Sequence, residues 1–91
     1  MTQLERDATA IVRLLLTSYV PRCPAVYESE HCAVTAIVTV CGFDRRRDRM
    51  RAAVRRAAGL PRGSHLVTWS DQSGKRAVLQ AFNRVARGEV R

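Results

Sequence analysis

"CAVTAIVTVCG", residues 32–42, is the stretch on which the fold turns. Its β-branched content favours a strand. Its length, its apolar character on every side and the closing Gly42 suit a buried central helix as well. Periodicity does not choose, because a buried strand and a buried helix both present an unbroken apolar run.

The flanking segments read more plainly. Thr2-Gln3-Leu4-Glu5 is a capping box, in which the Thr hydroxyl and the Glu carboxylate each satisfy an orphan backbone N–H. Leu4, Ala8, Ile11, Val12, Leu15 and Tyr19 then recur at helical spacing, and Pro21 blocks continuation, which predicts a helix over 3–19. Residues 20–31, "VPRCPAVYESEH", read as a loop with a short extended piece at Ala25–Tyr27. Downstream, Asp44 is a good N-cap and Gly59-Leu60-Pro61 a good stop, so a helix is predicted over 45–58. "HLVTW", 65–69, alternates weakly and reads as a short strand. A last helix, 74–87, capped by Asp71 or Ser73, carries Val78, Phe82 and Val85 on one stripe and ends at Gly88.

Ninety-one residues make one domain with a modest core. No run of about 18 apolar residues exists to span a membrane, and Ile11–Leu16 is too short and too acidic upstream for a signal peptide. The expected compartment is the cytoplasm.

The charge is lopsided. Residues 1–44 carry three basic and five acidic side chains, net −2, whereas residues 45–91 carry thirteen and three, net +10. Such a field attracts nucleic acid, an acidic protein or an anionic surface. Fifteen of the sixteen basic residues are arginine, a bias that a GC-rich genome explains. Codon usage does not explain the shortage of acids in the second half.

Seven arginines fall within the twelve residues 45–56. At about 100° per residue, Met50, Ala53, Val54 and Ala57 gather on one side as a narrow apolar stripe. Arg45, Arg49 and Arg56 form one ridge on the far side, and Arg47, Arg51 and Arg55 a second, with Asp48 and Ala52 between. Guanidinium groups suit phosphate through bidentate hydrogen bonds. The bland alternative is a solvated face on a helix made of strong helix formers. No aromatic interrupts the run, which argues against bases stacking on it. A helix-turn-helix across Cys41-Gly42-Phe43 is disfavoured, because Asp48 would stand where an apolar inward residue is wanted.

Other chemistry finds little support. Cys23, Cys32 and Cys41 are separated by eight residues each, without the close pair from which zinc sites start. His31 or His65 could complete a set only arithmetically. The simpler reading makes Cys32 and Cys41 small buried apolar residues and Cys23 a loop thiol, with a Cys23–Cys32 bridge open under oxidation. His31 adjoins Cys32, and neighbours on a helix diverge by about 100°, poor geometry for a nucleophile and its base. "SDQSGK", 70–75, lacks P-loop spacing, and no carboxylate pair suits acid–base work. Trp69 reads as a core anchor. No metal, no cofactor and no enzymatic activity are expected.

The order of pieces resembles a family. "AVYESEHCAVTAI", 25–37, and "LVTWSDQSGKRAVLQAF", 66–82, follow an early amphipathic helix. Tyr27, Glu28, Cys32, Ala33, Ala36, Trp69 and Asp71 match the pattern of a family of small proteins from actinobacteria and their phages, catalogued as a domain of unknown function. Thr35 replaces its usual glycine and Ser70 its usual asparagine, and the segment between Trp69 and Val78 is about two residues shorter. The resemblance implies a mainly helical fold and supplies no activity and no functional residues. It tips residues 32–41 towards helix.

The expected fold is a compact, mostly α, four-helix domain with at most a short two-strand element. Leu4, Ile11, Val12, Leu15, Ile37, Val38, Val54, Trp69, Leu79 and Phe82 are its expected core. The expected function is a non-enzymatic basic module contacting nucleic-acid phosphates, in the manner of a small phage or host regulator. Its candidate contact residues are Arg45, Arg46, Arg47, Arg49, Arg51, Arg55 and Arg56, extended by Arg62, Lys75 and Arg76. Two alternatives stay open: a module docking an acidic protein partner and, remotely, a Cys/His metal or thiol protein. The sequence leaves open DNA against RNA, and the oligomeric state.

Overall fold

The computed structural model describes residues 1–20 and 31–90 and holds four helices: α1 (Gln3–Ser18), α2 (Ala33–Cys41), α3 (Arg45–Ala57) and α4 (Leu66–Ala86). The undecided stretch is therefore helical. Ala33, Ala36, Ile37 and Cys41 turn inward at helical spacing. The N-terminal donors of α2 are satisfied from two sides: the Cys32 N–H donates to Thr35 Oγ1 at 2.8 Å, and the Ala33 N–H donates to Ser70 Oγ of α4 at 3.2 Å. At the other end Gly42 takes a φ of 73°, where a side chain is strained, and its N–H donates to the Val38 carbonyl.

The capping box of α1 forms as the sequence indicates, with Thr2 and Glu5 exchanging bonds of 2.8 and 3.2 Å. The Asp44 side chain caps α3 by accepting from the Arg46 N–H. The expected stop is also present: the Leu60 N–H reaches the Arg55 carbonyl at 2.9 Å.

The fourth helix departs from the sequence reading. Residues 66–69 are the first turn of α4, not a strand, because Leu66, Trp69 and Ser70 turn inward at intervals of three and four. Asp71 and Ser73, read as caps, are exposed within that first segment. Gly74, at φ 83° and ψ 169°, breaks the helix into two segments, the second of which is the helix expected from 74 onward. The extended piece expected at Ala25–Tyr27 lies outside the described residues. Among the described residues there is no sheet, only one isolated parallel bridge between Tyr19 and His31.

All four helices bury their apolar faces in one cluster. Ile11, Leu15, Ile37, Val54 and Phe82 are fully or almost fully buried, and Leu4, Val12, Trp69 and Leu79 pack partly buried against them. Val38, expected in the core, is only half-buried. The Tyr19 hydroxyl donates to the Ser70 carbonyl at 3.0 Å, tying the end of α1 to the first segment of α4. No helix among the described residues is long and apolar enough to cross a membrane.

Candidate functional site

The core holds α3 by its apolar stripe, Met50, Ala53, Val54 and Ala57, so the arginines are sorted by their angle around the helix. Arg46 falls on the inward side. Its Nε donates to Asp7 Oδ2 at 3.0 Å and its Nη2 to Asp7 Oδ1 at 2.6 Å, a bidentate pair between α3 and α1. Gln3 Nε2 donates to the same carboxylate at 2.9 Å. The Asp7 side chain is 5% exposed and that of Arg46 43%. Burial alone would raise the Asp7 pKa; the hydrogen bonds from Arg46 and Gln3 and the guanidinium charge outweigh it and hold the carboxyl below its ordinary value. Arg46 thus fixes the helix and is drawn away from the exposed face.

Asp7→Asn is expected to lower stability by about 2 kcal/mol near neutral pH, a loss limited by solvent screening on the open side of Arg46. The acid limb should change as well. Because folding depresses the Asp7 pKa, its contribution is present above the unfolded value of 3.8 and fades as pH falls through the lower folded value. Urea titrations at neutral pH and below pH 4 should show the wild-type advantage shrinking with acid; an unchanged gap would disprove this role.

Three more candidates are occupied by the fold. Arg55 Nε donates to the Ser64 carbonyl at 2.8 Å and anchors the loop after α3. Lys75 Nζ donates to the Leu16 carbonyl at 2.8 Å, closing the end of α1. Arg47 lies 3.6 Å from the Asp48 carboxylate and places its guanidinium 5.6 Å from the centre of the Phe43 ring. The remaining six, Arg45, Arg49, Arg51, Arg56, Arg62 and Arg76, have no hydrogen-bond or ion-pair partner from their side chains among the described residues. Arg45, Arg49 and Arg56 form an exposed ridge, while the Arg47–Arg51–Arg55 ridge is half-buried. The Nε atoms of Arg47 and Arg51 are enclosed with no hydrogen-bond acceptor among the described residues.

At its C-terminal end the α3 face opens into a groove of about 580 Å³ lined by Ala52, Arg55, Arg56, Leu60, Arg62 and Gly63. Three guanidinium groups around an apolar floor can take an anion by bidentate hydrogen bonding. Residues 4–88 match the family described as "Family of unknown function (DUF6197)". The chain belongs to this family. No curated protein and no solved structure matches it. The DUF6197 match runs across α1 to α4 and takes in every candidate contact residue.

The cysteines are placed differently from one another. Cys32 is buried and disulfide-bonded, its partner outside the described residues, as is the expected Cys23 end of such a bridge. Cys41 is free and buried, and burial, reinforced by the Asp7 carboxylate, pushes its thiol up to about 11. It is protonated at neutral pH and a poor nucleophile. His31 Nδ1 is engaged with Ser18 Oγ at 3.1 Å, and His65 is exposed at the start of α4. No group of three or more His, Cys, Asp or Glu side chains is placed to hold a metal ion among the described residues.

Two residues of this face escape a reading by charge alone. Asp7 is the one acid on the apolar stripe of α1, a pattern that asks for a cation opposite. Phe43 stands 78% exposed immediately before the α3 cap.

Proposed function

We propose that the chain is a non-enzymatic binding module whose α3 face contacts nucleic-acid phosphates. The observation that carries this reading is the unpaired ridge: Arg45, Arg49 and Arg56 project from a rigid, core-anchored helix with no carboxylate partner among the described residues. Arg62 extends the same charge across the groove after the helix. A solvated surface helix ordinarily mixes both signs at spacings of three and four; α3 has only Asp48 to set against seven arginines. The arginine bias fits a GC-rich actinobacterial or phage source and a regulator acting in the cytoplasm. There the Cys32 disulfide would be open to reduction, and none of the side-chain bonds that position α3 passes through it.

The test separates this ridge from residues that hold the fold. Arg45→Ala, Arg49→Ala and Arg56→Ala combined should weaken binding to a labelled mixed-sequence DNA duplex by roughly tenfold at about 100 mM salt. Helicity and thermal midpoint should stay within error. Full affinity in the triple variant would remove the proposal. Capture of one defined acidic protein after nuclease treatment, with no affinity for nucleic acid, would favour protein docking instead.

A further inference from the structure

We propose that Phe43 is a stacking platform for an unpaired base, so that the α3 face takes single-stranded nucleic acid in preference to duplex; this rests on the reading of α3 as a phosphate-contacting helix. Phe43 occupies the position before an N-cap, where an apolar residue ordinarily staples onto the fourth residue of the helix. That residue is Asp48, whose side chain is 70% exposed, so the staple has no partner. The ring is left 78% exposed, the most exposed large hydrophobic side chain among the described residues. Among the described residues the ring is met by the Arg47 guanidinium, 5.6 Å from the centroid, and ring surface stays open to solvent.

The position gives the exposure its chemistry. Phe43 stands at the N-terminal end of α3, next to the exposed ridge that begins with Arg45 and Arg49, positions about 6 Å apart along the helix axis. An extended single strand spaces its phosphates comparably. A base on the open part of the ring would set the backbone running along the exposed guanidinium groups of Arg45 and Arg49 towards the groove at Arg56 and Arg62. A duplex keeps its bases stacked on one another and offers nothing to the ring. The arginine run contains no aromatic residue of its own; the turn at Gly42 supplies one at its end.

The test compares two probes on the full chain: labelled oligothymidylate about twelve nucleotides long, within the span that small single-strand binders cover, and a mixed-sequence duplex of similar length. Phe43→Ala should weaken oligothymidylate binding about tenfold and leave duplex binding within about twofold. Phe43→Tyr, which keeps the ring, should restore the single-strand affinity. Equal losses on both probes would mean that Phe43 only shapes α3, and no loss on either would mean that the ring meets no base; both overturn the inference while the phosphate reading stands. Wild-type protein that binds neither probe overturns both.

Discussion

Phe82→Ala is expected to cost about 3–5 kcal/mol, the largest single-residue loss this fold should show. Phe82 has no exposed surface and sits on the second segment of α4, which packs against α1 and α3 in the common core with Ile11, Leu15 and Val54. Removing the ring leaves a cavity in a core whose small members, such as Ala53 and Ala81, are too short to fill it. A domain of this size has about 5–14 kcal/mol in total, so the variant should approach the unfolding threshold. Leu16→Ala provides the contrast: Leu16 is 53% exposed, and its truncation should stay within about 0.5 kcal/mol. Urea denaturation followed by circular dichroism measures both. A Phe82→Ala loss below about 1 kcal/mol would mean that α4 does not seat in the core as described.

The helices with chemical punctuation were legible in the sequence. Thr2 and Glu5 mark the start of α1, and Asp44 and Gly59 bracket α3, because caps are local and act within four residues. Residues 32–42 were not legible by periodicity, since an all-apolar run has no polar face to count from. What completes them as a helix is partly remote, the Ser70 hydroxyl accepting from the Ala33 N–H. The helical character of residues 66–69 is hard to see in the sequence because the inward residues are few and Asp71 and Ser73 resemble caps of a later helix, whereas the break between the two helical segments falls at Gly74.

The arginine face was legible as charge and less so as partners. At helical spacing Arg46 shares a side with Met50, Ala53 and Ala57, and Asp7 shares a side with Ile11. An acid in one apolar stripe and an arginine in another is a readable sign of a buried pair, and the structure joins them through two hydrogen bonds. The Lys75 and Arg55 contacts to backbone carbonyls carry no such sign, because any carbonyl can accept them. Of the candidate residues, the fold thus spends Arg46, Arg47, Arg55 and Lys75 on itself and leaves Arg45, Arg49, Arg56 and Arg62 exposed on and beside α3.

Those four exposed guanidinium groups set the size of the electrostatic effect. If each neutralises one phosphate, binding to duplex DNA should follow a log–log salt slope of about −3.6, because each contact releases about 0.9 of a condensed counterion. Between about 50 and about 200 mM salt the affinity should then fall roughly a hundredfold. The interaction would be strong where salt is low and modest at cellular ionic strength. The measurement that tests this most directly is fluorescence anisotropy of a labelled duplex across that range. A steep, linear slope is expected, flattening when Arg45, Arg49 and Arg56 are replaced by alanine. No binding at the lower salt, or a slope near zero, would contradict it and leave the arginines as a face for an acidic protein or for solvent.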